Sequence, residues 1–120
     1  MRTKKTIDHE AFVSALRKRY RTTLLKMGLP ATFHIYDTPP FPPCLDSLSP
    51  QDIYLLQYLR CAYFDLPRWD KEIFIAEILE KGRYYPFWFE EMSSRNQVFG
   101  RAKELAAELH DGLKKRGIAL

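Results

Sequence analysis

Five glycines and two cysteines are all that 120 residues contain of either. Cys44 and Cys61 can close at most one bridge, too few for a disulfide-stapled fold, so reduced thiols in an intracellular, cytoplasmic setting are expected. The glycines are scattered, and neither a GxGxxG turn nor a GxxxxGK loop is present, which removes the usual backbone cradles for phosphate. No run approaches the ~18 apolar residues that a membrane span requires. The opening Met1-Arg2-Thr3-Lys4-Lys5 passes into Asp8, His9 and Glu10 instead of an apolar stretch, so no secretory leader is read and no membrane partner is expected.

Catalytic signatures are missing too. GxSxG and HExxH do not occur, and His9, His34 and His110 have no second ligand at zinc-motif spacing. A site of His34, Cys44 and Cys61 would have to be assembled by tertiary structure, and a thiol buried as a small apolar group is the commoner fate. Glu90-Glu91 and the Glu104/Glu108 pair offer adjacent carboxylates, but each sits where a solvated helix face would put it. The chain therefore reads as non-enzymatic, with no cofactor and no metal site.

What is present suffices for a packed core. Apolar residues make up 46% and charged residues 28%, which excludes a disordered tail, and 14.2 kDa leaves room for one domain. The periodicity predicts a compact all-α domain of four main helices with a short fifth, preceded by a flexible lead over residues 1–7. In residues 8–27, Phe12, Val13, Leu16, Tyr20, Leu24 and Met27 fall on one face, with Glu10, Ser14, Arg17, Lys18, Arg21 and Lys26 opposite. Asp8 is placed to cap the start, and Gly28 followed by Pro30 to stop it.

Six of the eight prolines lie in residues 30–50, which excludes a helix there. After a strand-like opening at Thr32-Phe33-His34-Ile35-Tyr36, the segment reads as an extended, polyproline-like strap over the core. Ser49-Pro50-Gln51-Asp52 then signals a helix start, with serine at the cap, proline at the first helical position and an acid in the first turn. The helix over 50–65 shows Ile53, Leu56, Leu59 and Tyr63 on one side and little polar surface on the other, so it is expected to be the central, most buried one. A third helix over 67–81 should bury Phe74, Ile75, Ile78 and Leu79 and turn Asp70, Glu72, Glu77, Glu80 and Lys81 mostly outward. A short helix is read near 86–92. The last, over 95–116, has Val98, Ala102, Leu105, Ala106, Leu109 and Leu113 as its stripe, Ser94 and Gln97 as a capping pair and Gly117 as its exit.

Charge is segregated along this plan. The net +4 divides into +6 over residues 1–29, −3 over 30–66, −2 over 67–92 and +3 over 93–120. If the first and last helices pack side by side, Arg17, Lys18, Arg21, Lys114, Lys115 and Arg116 would form one cationic surface suited to the phosphate backbone of DNA or RNA. The plainer account is a solvated basic face, with Lys114, Lys115 and Arg116 answering the negative end of a helix dipole. A helix-turn-helix at Asp65-Leu66-Pro67 is disfavoured, because the helix that would read the groove is acidic.

Arg83-Tyr84-Tyr85-Pro86-Phe87-Trp88-Phe89 is the most distinctive local feature. Arg83, Tyr84 and Trp88 are candidates for stacking on bases or anchoring a protein partner, whereas Phe87 and Phe89 read as core. Two functions follow. One is a small nucleic-acid-associated accessory or regulatory protein gripping backbone phosphates through its terminal helices. The other is a protein-interaction module, an adaptor or inhibitor, docking through residues 83–89, the proline strap or the acidic middle.

Overall fold

The computed structural model describes residues 9–30, 33–39, 44–80 and 95–120. Within them the chain is helical without a strand: α1 (His9–Lys26), α2 (Pro50–Asp65), α3 (Arg68–Ile73, continued by a π-helical segment Phe74–Leu79) and α4 (Arg95–Lys115).

The stripe on α1 does what its spacing predicts, burying Leu16, Tyr20, Leu24 and Met27. Thr23 is buried with them and donates its hydroxyl to the Arg19 carbonyl at 2.8 Å, so a polar residue in the core carries no orphan donor. Beyond Lys26 the chain turns through Gly28 at φ 76°. Its N–H donates to the Leu25 carbonyl at 3.0 Å, and that of Leu29 to the Leu24 carbonyl at 3.2 Å. This paired reverse turn needs a left-handed residue and packs the following apolar side chain, here buried Leu29, back on the helix. α4 ends in the same way: Gly117 has φ 69°, and the Ile118 N–H reaches the Leu113 carbonyl at 3.0 Å.

Between α1 and α2, Phe33 and Ile35 enter the core, but not as the expected strand. A turn over residues 34–37 stands in its place, closed by the Asp37 N–H on the His34 carbonyl, and the Phe33 N–H donates to the Pro30 carbonyl. Without a neighbouring strand, an extended segment would leave its backbone groups unpaired, and turns satisfy them locally. The Cys44 N–H donates to the Met27 carbonyl at 3.2 Å and ties the far end of the segment to the end of α1. Residues 40–43 of the proposed strap lie outside the described residues. So do the Asp8 and Ser94 caps, Gly82, the helix near 86–92 and the core placement of Phe87 and Phe89.

α2 begins as predicted, with Ser49 and Asp52 exchanging both bonds of a capping box and Pro50 at the first position. It is not the central helix. Only Asp52, Leu55 and Leu59 are buried along it, while Tyr54 is 54% exposed, Phe64 is 49% exposed, and Cys61 is exposed. The central position belongs to residues 73–80, where Ile73, Phe74, Ile75, Ala76, Ile78, Leu79 and Glu80 are buried between α1 and α4. Apolar content round the whole of a helix does not by itself bury it, because one small core offers room on only one of its faces.

Glu80 is the second correction. The expected third helix forms, but from Phe74 it widens to the π-helical pattern, closing with the Glu80 N–H on the Ile75 carbonyl at 2.8 Å. An extra residue in a turn swings everything after it by about 100° round the axis. Glu80 consequently points inward at 5% exposure and meets His34 Nδ1 at 2.8 Å.

α4 runs beside α1 in the same direction, since Phe12 packs edge-on to His110 at 5.2 Å and Arg19 Nη1 reaches the Ala119 carbonyl at 2.9 Å. Arg101 fastens α4 to α3 through Asp70 at 2.8 Å. The hydrogen bonds that it donates to Asp70 and then to Glu104 raise its pKa, and Glu104 and Glu108 flank the bound guanidinium. Gly28→Ala and Gly117→Ala are each expected to cost about 1 kcal/mol. A Cβ at either position meets open space, so the loss is a backbone effect that urea titration should read as a lower midpoint with an unchanged slope.

Candidate functional site

α1 and α4 pack side by side, the condition on which a shared cationic surface rested, but the structure sorts its six residues into two groups. Arg17 is drawn inward: Nε donates to the Ile78 carbonyl at 3.0 Å and Nη2 to the Glu77 carbonyl at 3.4 Å, satisfying the end of the π segment. Burial, and then the like charge of Arg21, press its pKa below the ordinary arginine value. Arg116 lies over the Tyr58 ring of α2 at 4.7 Å and donates to the Gly112 carbonyl. Lys18 and Arg21 on α1, and Lys114 and Lys115 in the last turn of α4, stay exposed. Arg83, Tyr84 and Trp88 lie outside the described residues.

The remaining cations of α1 serve a buried carboxylate. Asp52 is 1% exposed and receives Arg19 Nη2 at 2.7 Å, Lys26 Nζ at 3.3 Å and the Ser49 N–H at 3.1 Å. Burial by itself raises the Asp52 carboxyl. The Ser49 amide, Arg19 and Lys26 together outweigh it and hold the pKa at about 2, against an ordinary 3.8. From the sequence Asp52 reads as a first-turn acid and Lys26 as solvated. The available signal was the seven-residue spacing of Arg19 and Lys26, which puts both on one flank of α1.

Among the described residues no three His, Cys, Asp or Glu side chains gather where a metal could sit, and His34 turns to Glu80 and stacks on Tyr36 at 4.9 Å. Both cysteines are exposed, against the expectation of buried thiols. An open crevice of about 960 Å³ separates the first halves of α1 and α4 from the end of α3. Its walls mix His9, Ser14 and Lys103 with Val13, Phe99 and Ala106, and Arg17 there is committed to backbone carbonyls.

The outer face of α2 carries a different surface. Tyr54, Gln57, Cys61 and Phe64 form an exposed stripe. On one edge Arg116 covers Tyr58; on the other Arg60 lies 5.2 Å from the Phe64 ring centre and donates to the Ile35 and Asp37 carbonyls. A shallow hollow of about 350 Å³ is lined by Tyr54, Gln57, Tyr58, Cys61, Arg116 and Ile118.

Because the folded pKa of Asp52 lies below its unfolded value, its stabilisation is complete above about pH 4 and is lost as pH falls towards about 2. Thermal melts across that window should show Asp52→Asn less stable at pH 6, by on the order of 2 kcal/mol, and the gap from wild type narrowing as pH drops.

No protein-family model, curated protein or solved structure matches this chain.

Proposed function

We propose that this protein is a non-enzymatic accessory protein that holds the phosphate backbone of a nucleic acid through the exposed cations of α1 and α4. The observation that carries the reading is the parallel packing of these helices, which sets the last turn of α4 beside the middle of α1. Lys18, Arg21, Lys114 and Lys115 are exposed without an ion pair among the described residues, Arg21 on a flank of α1 that borders a hollow with Leu29, Phe33 and Glu80. Contacts of this kind go to phosphates and carry little sequence preference. Arg17 and Arg116 drop out as primary contacts, because their donors serve Ile78 and Gly112.

Fluorescence anisotropy with a labelled oligonucleotide at several salt concentrations tests this. Affinity is expected to fall with salt, and Lys18→Glu or Lys115→Glu should weaken binding and lower the slope of log K against log salt by about 1 per lost contact. No binding near 50 mM salt, where such contacts are strongest, rejects the reading. Arg17→Met should instead lower stability by about 1 kcal/mol in a urea titration, since it strips two carbonyls of their donor.

A second reading, a protein-docking module, is favoured by a separate observation: α2, in the acidic middle of the chain, leaves Tyr54, Cys61 and Phe64 exposed on one stripe. Large aromatic side chains exposed together are characteristic of interfaces.

A further inference from the structure

We infer that the outer face of α2 is a self-association seam, on which the α2 helix of a second copy of this chain docks antiparallel to the first. The inference rests on the protein-docking reading of α2 and is independent of the phosphate reading.

The spacing of the exposed stripe carries the argument. Tyr54, Gln57, Cys61 and Phe64 follow one another at intervals of three, four and three, which is the alternation of a and d positions in a two-heptad seam. That seam faces away from the core, because the residues α2 buries, Asp52, Leu55 and Leu59, lie on the opposite side. The interval pattern reads the same in both directions. An antiparallel pair centred at the level of residue 59 therefore sets Tyr54 of each copy against Phe64 of the other, and Gln57 against Cys61. Two aromatic pairs close the ends, with the small polar and thiol side chains between them. One patch meets its own copy, as a two-fold interface requires.

Charge at the edge is consistent with the same register. Asp65 shares an edge of α2 with Tyr58, over which Arg116 lies at 4.7 Å. In the antiparallel pair Asp65 falls level with Ile53 and Tyr54 of the second copy, beside the hollow that Tyr54, Tyr58 and Arg116 line. Within one copy neither Asp65 nor Arg116 has an ion-pair partner among the described residues, so pairing across the seam supplies each with one. Arg60, on the other edge, is held on the Ile35 and Asp37 carbonyls. Two heptads form a short seam, so the association should be weak and concentration-dependent.

Sedimentation of the full chain under reducing conditions, over a wide range of concentration, is expected to show the average mass rising from 14.2 kDa towards twice that value. Phe64→Glu, at an exposed position, should keep the far-ultraviolet circular dichroism and weaken association at least ~10-fold. Gln57→Cys under mild oxidation should give a disulfide-linked dimer through Cys61 of the second copy, lost on adding Cys61→Ser. The wild type should cross-link poorly, because Cys61 and its own symmetry mate stand about four residues apart along the seam. A chain monomeric at every concentration overturns the second copy as occupant, and cross-linking as readily in the wild type as in Gln57→Cys overturns the antiparallel register. If such a monomer nonetheless co-purifies with another protein and loses it on Phe64→Glu, the docking reading survives without this inference; if Phe64→Glu changes nothing, both fall.

Discussion

A carboxylate taken out of water has to be neutralised where it sits, and Asp52 meets that demand by drawing two elements together. Its own helix supplies the Ser49 amide; α1 supplies Arg19 and Lys26. The geometry of the join follows from this. Arg19 also holds the Ala119 carbonyl, and Gln51 bonds both Gly117 and Ala119, so the tail after α4 is fastened at the same corner. Three segments far apart in sequence thus meet around one buried charge. That corner also takes two of the cations on α1 out of circulation, which limits how much of the strongly basic amino-terminal stretch is left to face a partner.

The widened end of α3 is the second constraint. A π-helical segment leaves its last carbonyls poorly served by its own amides, and Arg17 crosses from α1 to cover those of Glu77 and Ile78. The same widening turns Glu80 inward, where His34 meets it at 2.8 Å. A carboxylate that a regular helix would have left in solvent becomes part of the interior. The cationic surface is smaller than a charge count suggests for the same reason: cations are the natural donors to buried carbonyls and carboxylates, and this fold contains several such acceptors.

With α1 and α4 enclosing the end of α3, α2 is left at the margin carrying more apolar surface than the core can use. Its inner face is satisfied by Leu55 and Leu59. Its outer face pairs rings with guanidinium groups, Arg116 with Tyr58 and Arg60 with Phe64, arrangements that tolerate water and still leave the rings accessible. The exposed cations of the terminal helices and the exposed rings of α2 are separate features, made by different elements.

Local signals in this chain were legible wherever the deciding physics lay within a few residues. The face of α1 that meets the core, the capping box at Ser49, the glycine exits at Gly28 and Gly117 and the stripe of α4 all follow from 3.6-residue periodicity and from backbone groups that must find partners nearby. The all-α class follows from them. Fates that depend on what lies across the core were not legible. Neither the spacing within α1 nor its composition says that Arg17 faces the end of α3 while Lys18 faces water, because the carbonyls it serves are 60 and 61 residues away in the chain. The inward turn of Glu80 came from a change of helical pitch, and the marginal place of α2 from competition among helices for one small core. Which of the described segments are helical, and how they begin and end, follows from local periodicity and capping. Which charges are spent on the fold and which remain at the surface follows from the packing of the elements, because neutralising a buried group requires a partner from another element.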